Sequence, residues 1–191
     1  DGVIVGWVAD ENEIAHAALW VDDRLTLLPT LSGTRMSRAY GRNWRGDIVG
    51  FMFTVDREGP IPTLWASDLS CQALPSPQDY GGLVCGINND GVMVGLEYLD
   101  GSAILDMKKL PQYDWISAER MGEYVCLQGS QTDLNTRAIL WQGQEAIPLE
   151  ELVTLNSGWV FTEALAVNGQ GHILINAVNE DVSTFALLVP A

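Results

Sequence analysis

Histidine occurs only twice, at His16 and His172, and cysteine three times, at Cys71, Cys85 and Cys126. There is no CxxC pair and no Cys/His cluster, which argues against a zinc site. Two isolated histidines without a Ser or Cys constellation also argue against a catalytic triad. Basic residues are scarce as well: ten Lys and Arg stand against 25 Asp and Glu, a formal charge of -15. A field of that sign repels phosphate backbones, so nucleic acid is not an expected partner. No run approaches the roughly 20 apolar residues of a membrane helix, and no signal-peptide pattern is visible. Helical periodicity is nearly missing too. Its best candidate is a single turn at 149–153, after Pro148.

What is present is apolar and repetitive. Apolar residues make up 47% of the 191 and charged residues 18%, a balance that excludes bulk disorder and is enough for one domain with a sizeable core. Asn, two residues, Gly, a short apolar strand ending in Gly, a loop, then Ala-Leu-Trp and Leu-Pro recur along the chain. Copies open at DGVIVG (1–6), RGDIVG (45–50), DGVMVG (90–95), MGEYVC (121–126) and QGHILI (170–175). Asn43, Asn88 and Asn168 stand three residues before Gly46, Gly91 and Gly171. Trp20, Trp65 and Trp141 close the third segment, and Leu28-Pro29, Leu74-Pro75, Leu110-Pro111 and Ile147-Pro148 close the fourth.

Each word has a local reason. Asn, Asp and Gly tolerate positive φ and mark hairpin turns. Proline cannot donate to a ladder and belongs at a strand end. The glycines ending the second strand, Gly6, Gly50 and Gly95, suit a place where backbones approach closely. The Trp is a large apolar wedge with one N–H to satisfy. Spacing is steady within units and variable between them, the pattern of a four-stranded repeat. Units fall near 1–43, 44–89, 90–120, 121–168 and 169–191, within a single repeat domain over 1–191. The third is short and lacks its Trp.

The expected fold is therefore all-β, a β-propeller of four-stranded antiparallel blades, about five in number and incompletely closed. A four-bladed arrangement with a spare hairpin is the alternative. The chain opens in mid-repeat at Asp1-Gly2, so it is expected to be an excerpt or processed form of something longer.

The string His16-Ala17-Ala18-Leu19-Trp20 resembles the signature of the HAF repeat, found in predicted extracellular bacterial proteins, with Ala18 in place of the Phe. Ile87-Asn88-Asn89-Asp90-Gly91-Val92-Met93-Val94-Gly95 is similar to the second half of that motif. The resemblance implies a secreted, periplasmic or cell-envelope propeller-like protein and carries no catalytic residue with it.

Chemistry must then lie outside the shared words. Asp47, Asp90 and Glu123 flank turn glycines but do not recur at one repeat position, as paired hydrolytic carboxylates would. Asn88-Asn89-Asp90 offers oxygen ligands without the dense alternating acids of a calcium loop. No cofactor or metal is implied. Cys71 and Cys85 lie on neighbouring predicted strands, where a disulfide and free thiols are both open. One cluster stands out: Arg35, Arg38, Arg42 and Arg45, interleaved with Tyr40 and Trp44. From it Arg38, Tyr40, Arg42, Trp44 and Arg45 form the candidate binding patch, pairing guanidinium forks with aromatic faces. Period-two alternation puts Tyr40, Arg42 and Trp44 on one strand face. The functional expectation is a non-enzymatic binding scaffold for protein or glycan, with no membrane span and an open oligomeric state. A carbohydrate-active hydrolase and a purely structural module are the other readings.

Overall fold

The computed structural model describes residues 2–57, 59–100, 135–153, 158–180 and 182–190. Four antiparallel sheets follow one another along the chain. Sheet I holds β1 (Ile4–Ala9), β2 (Ala15–Val21) and β3 (Arg24–Leu27). Sheet II holds β4 (Thr34–Arg42), β5 (Ile48–Thr54), β6 (Ile61–Trp65) and β7 (Cys71–Ala73). In sheet III, β8 (Gly82–Ile87) and β9 (Val92–Tyr98) join β10 (Thr136–Gln142) and β11 (Glu145–Pro148). Sheet IV holds β12 (Val160–Val167), β13 (Ile173–Asn179) and β14 (Val182–Leu188). The one-turn helix α1 (Leu149–Leu152) follows Pro148, where the sequence places it.

Five units were expected, and the described residues form four sheets. In sheet III the hairpin at 82–98 pairs with 136–142, Gly95 facing Ile139. Gly50 faces Thr63 and Gly6 faces Ala18 in the same frame. Strand β10 holds the third place in this sheet and brings Trp141 to it, while the third strand that the short unit's own sequence suggests at 102–106 lies outside the described residues. The opening of the fourth unit at 121–126, with Glu123 and Cys126, and Leu110-Pro111 lie outside the described residues.

The sheets stack face to face in chain order, each junction filled by one or two apolar clusters. Ala17, Leu28, Ala39, Ile48, Met52 and Trp65 join sheets I and II. Two clusters join II and III, one around Val49, Val84, Met93, Ile139 and Trp141, the other around Phe51, Leu83, Leu96 and Tyr98. Val94, Ala138, Leu149, Phe161, Ala164 and Ile175 join III and IV. Period-two alternation on β5 does this work: Ile48 and Met52 face one neighbour, Val49 and Phe51 the other. Strands buried on both faces read as continuous apolar runs, as β5 and β9 do. At the two ends of the stack the pattern relaxes. Strand β3 is exposed throughout, and Ile4, Phe185, Leu187 and Val189 face outward.

Trp65 and Trp141 are fully buried between sheets. Each such body removes roughly 200 Å² from water, worth about 5 kcal/mol before ordering costs. The indole N–H of each is satisfied by the preceding sheet. Trp65 donates to the Pro29 carbonyl at 2.7 Å and Trp141 to the Pro75 carbonyl at 2.6 Å. The Trp and Leu-Pro words of the repeat are two halves of one latch.

The glycines ending the second strands also gain a cause. A bulge in the first strand lies beside them, between Ala39 and Gly41 in β4 and between Val84 and Gly86 in β8. It pushes a carbonyl inward. A Cβ on Gly50 would stand 2.0 Å from the Arg38 oxygen, and one on Gly95 2.1 Å from the Leu83 oxygen. In sheet IV Ile175 occupies the equivalent place.

Candidate functional site

Three hairpin turns of one design come together at one end of sheets II, III and IV. In each, the Asn side-chain oxygen accepts backbone N–H groups of its own turn. Asn43 takes that of Asp47 at 3.0 Å, Asn88 those of Asp90 and Val92, and Asn168 those of Gln170 and His172. A glycine at positive φ closes each turn: Gly46 at 94°, Gly91 at 83° and Gly171 at 76°. Most side chains take up that conformation only at a cost.

The amide nitrogens of Asn43 and Asn88 link the turns. Asn43 Nδ2 donates to the Asn88 carbonyl at 3.2 Å, and Asn88 Nδ2 donates to the Asn168 carbonyl at 3.1 Å. Asn43 and Asn88 are buried, so these bonds satisfy groups that water does not reach. The result is a relay stepping from sheet to sheet.

The tips of these turns form an exposed rim: Trp44 and Arg45 from sheet II, Asn89 and Asp90 from III, Gly169 and Gln170 from IV. Trp44 is 88% exposed, yet its backbone N–H is held by Asn89 Oδ1 at 2.9 Å. Arg45 reaches across to turn III, its guanidinium lying where a Cβ on Gly91 would stand, and its Nε is 3.4 Å from Asp47 Oδ2. An indole with a free face, a guanidinium and several amides thus sit on a backbone pinned by neighbouring turns.

The candidate patch divides. Trp44 and Arg45 are on the rim. Arg38 reaches toward sheet I, its guanidinium 4.8 Å above the Trp7 ring, while Tyr40 packs edge-on against Trp7 at 6.3 Å and tilted against Phe51 at 5.6 Å, on the margin of the cluster that joins sheets II and III. Arg42 is half-buried at the foot of the same turn, near Gly46. Arg35 is exposed near the far end of β4. The bulge between Ala39 and Gly41 breaks the strict alternation on which the single-face reading rested.

The other candidates are engaged structurally. Asp47 accepts from Asn43 Nδ2 at 2.9 Å and from the Ser67 N–H at 3.2 Å. The side-chain oxygens of Asn88 and Asn89 are held by backbone N–H groups, which leaves the 88–90 turn poor in cation ligands. Among the described residues no group of three or more His, Cys, Asp or Glu converges. His16 Nε2 lies 3.1 Å from Asp10 Oδ2 at an exposed hairpin, and this bond, with the Ile14 and Asn12 N–H groups, holds the Asp10 carboxyl below its ordinary range. Cys71 on β7 and Cys85 on β8 form no disulfide and belong to different clusters. Burial pushes the Cys71 thiol up to about 11.

One buried carboxylate escaped the sequence reading. Glu97, fully buried on β9, accepts from Arg137 on β10, from Ser76 Oγ at 3.1 Å and from the Gln78 N–H at 3.1 Å. It fastens the 76–78 loop of sheet II onto sheet III. No helix among the described residues is long and apolar enough to cross a membrane.

Comparison with family models, with curated proteins and with solved structures finds no match to this chain.

Proposed function

We propose that this chain is a non-enzymatic binding scaffold of the β-propeller type, related to the HAF repeats and working outside the cell or in the cell envelope, with its ligand surface on the turn rim. The observation that carries the reading is Trp44, an indole almost wholly in solvent on a backbone that its neighbour holds still. A large exposed aromatic is costly to solubility, while a fixed one loses little entropy on contact. With Arg45 beside it, and Asn89 and Gln170 around it, the rim offers stacking and hydrogen bonding together. That chemistry fits a glycan, or an exposed loop of a protein.

Stacking of sheets in chain order and face-to-face burial supports the propeller reading, and the repeat words support the family one. The shared residues are consumed in turns, latches and close approaches, which leaves recognition to what the copies do not share. The test is a glycan array and a titration with envelope polysaccharides, comparing the parent chain with Trp44→Ala. Binding that falls at least about tenfold in the variant, with the melting temperature unchanged, supports the proposal. Binding unaffected by that change, or turnover of a polysaccharide, refutes it.

A further inference from the structure

Sheet I differs from II and III at its inner edge. In the common frame β1 matches β5 and β9, each a second strand: Gly6 faces Ala18 as Gly50 faces Thr63 and Gly95 faces Ile139. Strands β5 and β9 are flanked by first strands, β4 and β8, whereas β1 is an edge strand among the described residues.

Two residues are fitted to a neighbour that sheet I does not have among the described residues. The first is Gly6. Gly50 and Gly95 must be glycine because a bulge carbonyl stands about where their Cβ would be. At Gly6 a Cβ would meet only the Trp20 ring, at 3.4 Å. Glycine within a strand is destabilising unless a backbone comes close. The second is Asn43, buried, with its carbonyl turned to the relay. The Asn88 carbonyl accepts from Gly91 N–H and from Asn43 Nδ2, and that of Asn168 from Gly171 N–H and Asn88 Nδ2. Among the described residues the Asn43 carbonyl accepts from Gly46 N–H alone. Its second donor, by the geometry of the other two turns, is the side-chain amide of an Asn at the end of a strand lying beside β1.

We infer that the edge of β1 is an acceptor for an added antiparallel strand with the chemistry of β4 and β8. Such a strand is extended and apolar on alternate residues. It bulges opposite Gly6, with Ala or Val facing that glycine and Asn four residues later. The edge supplies the backbone ladder. Gly6 admits the bulge carbonyl, and the Asn43 carbonyl reads the terminal Asn. This is strand addition, in which main-chain bonds give affinity and fixed side-chain positions give register.

The test uses the whole chain and a synthetic peptide spanning residues 35–44, which places Ala39 opposite Gly6 and Asn43 over the relay. A scrambled peptide of the same charge controls for attraction to an acidic protein. Hydrogen exchange read by mass spectrometry locates binding. The expected result is slowed exchange in β1, a raised melting temperature, and no such effect from the scrambled peptide. Gly6→Ala is the decisive variant. Without peptide it melts like the parent, because its Cβ has room, but its affinity for the peptide falls at least about tenfold. Equal binding of the scrambled peptide, equal binding by Gly6→Ala, protection elsewhere than β1, or no binding at all overturns the inference.

Discussion

The indole N–H of Trp141 donates to the carbonyl of Pro75 at 2.6 Å, across 66 residues of chain. Trp65 and Pro29 repeat the relationship. Trp20, the same word in sheet I, is only partly buried and lines an open depression with Gly2, Ile4, Asp22 and Asp23. Phe in place of Trp141 or Trp65 keeps most of the apolar body and leaves a carbonyl without its donor, at a cost of about 1–3 kcal/mol. Trp20→Phe is expected to cost less than about 0.5 kcal/mol. Urea denaturation of the three variants measures this, and equal losses would contradict the latch.

Asn88 sits in the middle of the relay. Asn88→Ala removes the one oxygen that accepts two turn N–H groups, and one inter-sheet donor. The expected loss is about 2–4 kcal/mol. Exchange of the Val92 and Asp90 amides should quicken with it. Faster exchange confined to sheet III, with the relay partners in II and IV untouched, would show that the turns are independent.

Gly95→Ala places a methyl group 2.1 Å from the Leu83 oxygen. A backbone carbonyl cannot step aside without breaking the β8–β9 ladder, so the loss should exceed about 3 kcal/mol or abolish folding. Circular dichroism of the purified variant checks it, and a parent-like melting curve would disprove the close approach.

Removing one partner of a buried ion pair strands the other. Arg137→Met leaves Glu97 with Ser76 and Gln78 alone, and the expected cost is about 3–5 kcal/mol. Glu97→Gln keeps an acceptor toward both and should cost less. If the two substitutions cost the same, Arg137 is not what keeps the Glu97 charge tolerable.

A thiol raised to about 11 is almost wholly protonated at pH 8. Iodoacetamide should label Cys71 in the native chain on the order of a hundredfold more slowly than in urea. Rapid labelling of the native chain at pH 8 would contradict this placement.

The turns were the most legible part of the sequence, because Asn-x-x-Gly specifies its own hydrogen bonds within five residues. Trp65 and Trp141 were legible as wedges, but their bond to Pro29 and Pro75 joins different units, which spacing along one unit does not show. The composition of sheet III was hidden for a similar reason. The short unit at 90–120 reads as a complete copy until its second strand is seen to pair with β10. In the candidate patch, alternation put Tyr40, Arg42 and Trp44 on one strand face, whereas Tyr40 packs against Trp7 and Phe51 and Trp44 is exposed, since a bulge leaves no mark in composition. Glu97 was one acid among 25, and only burial distinguishes it.

The relay has a direction. Asn43 gives to Asn88 and Asn88 to Asn168, while Pro29 and Pro75 wait for an indole made later. During synthesis from the amino end, sheet II therefore leaves the ribosome with the Asn43 bond to the next turn and the Pro75 carbonyl unmet, and both are met only when sheet III arrives. Completion of a sheet thus trails its translation, and a pause after Pro75 and before Asn88 holds the nascent chain with both of these bonds unmade.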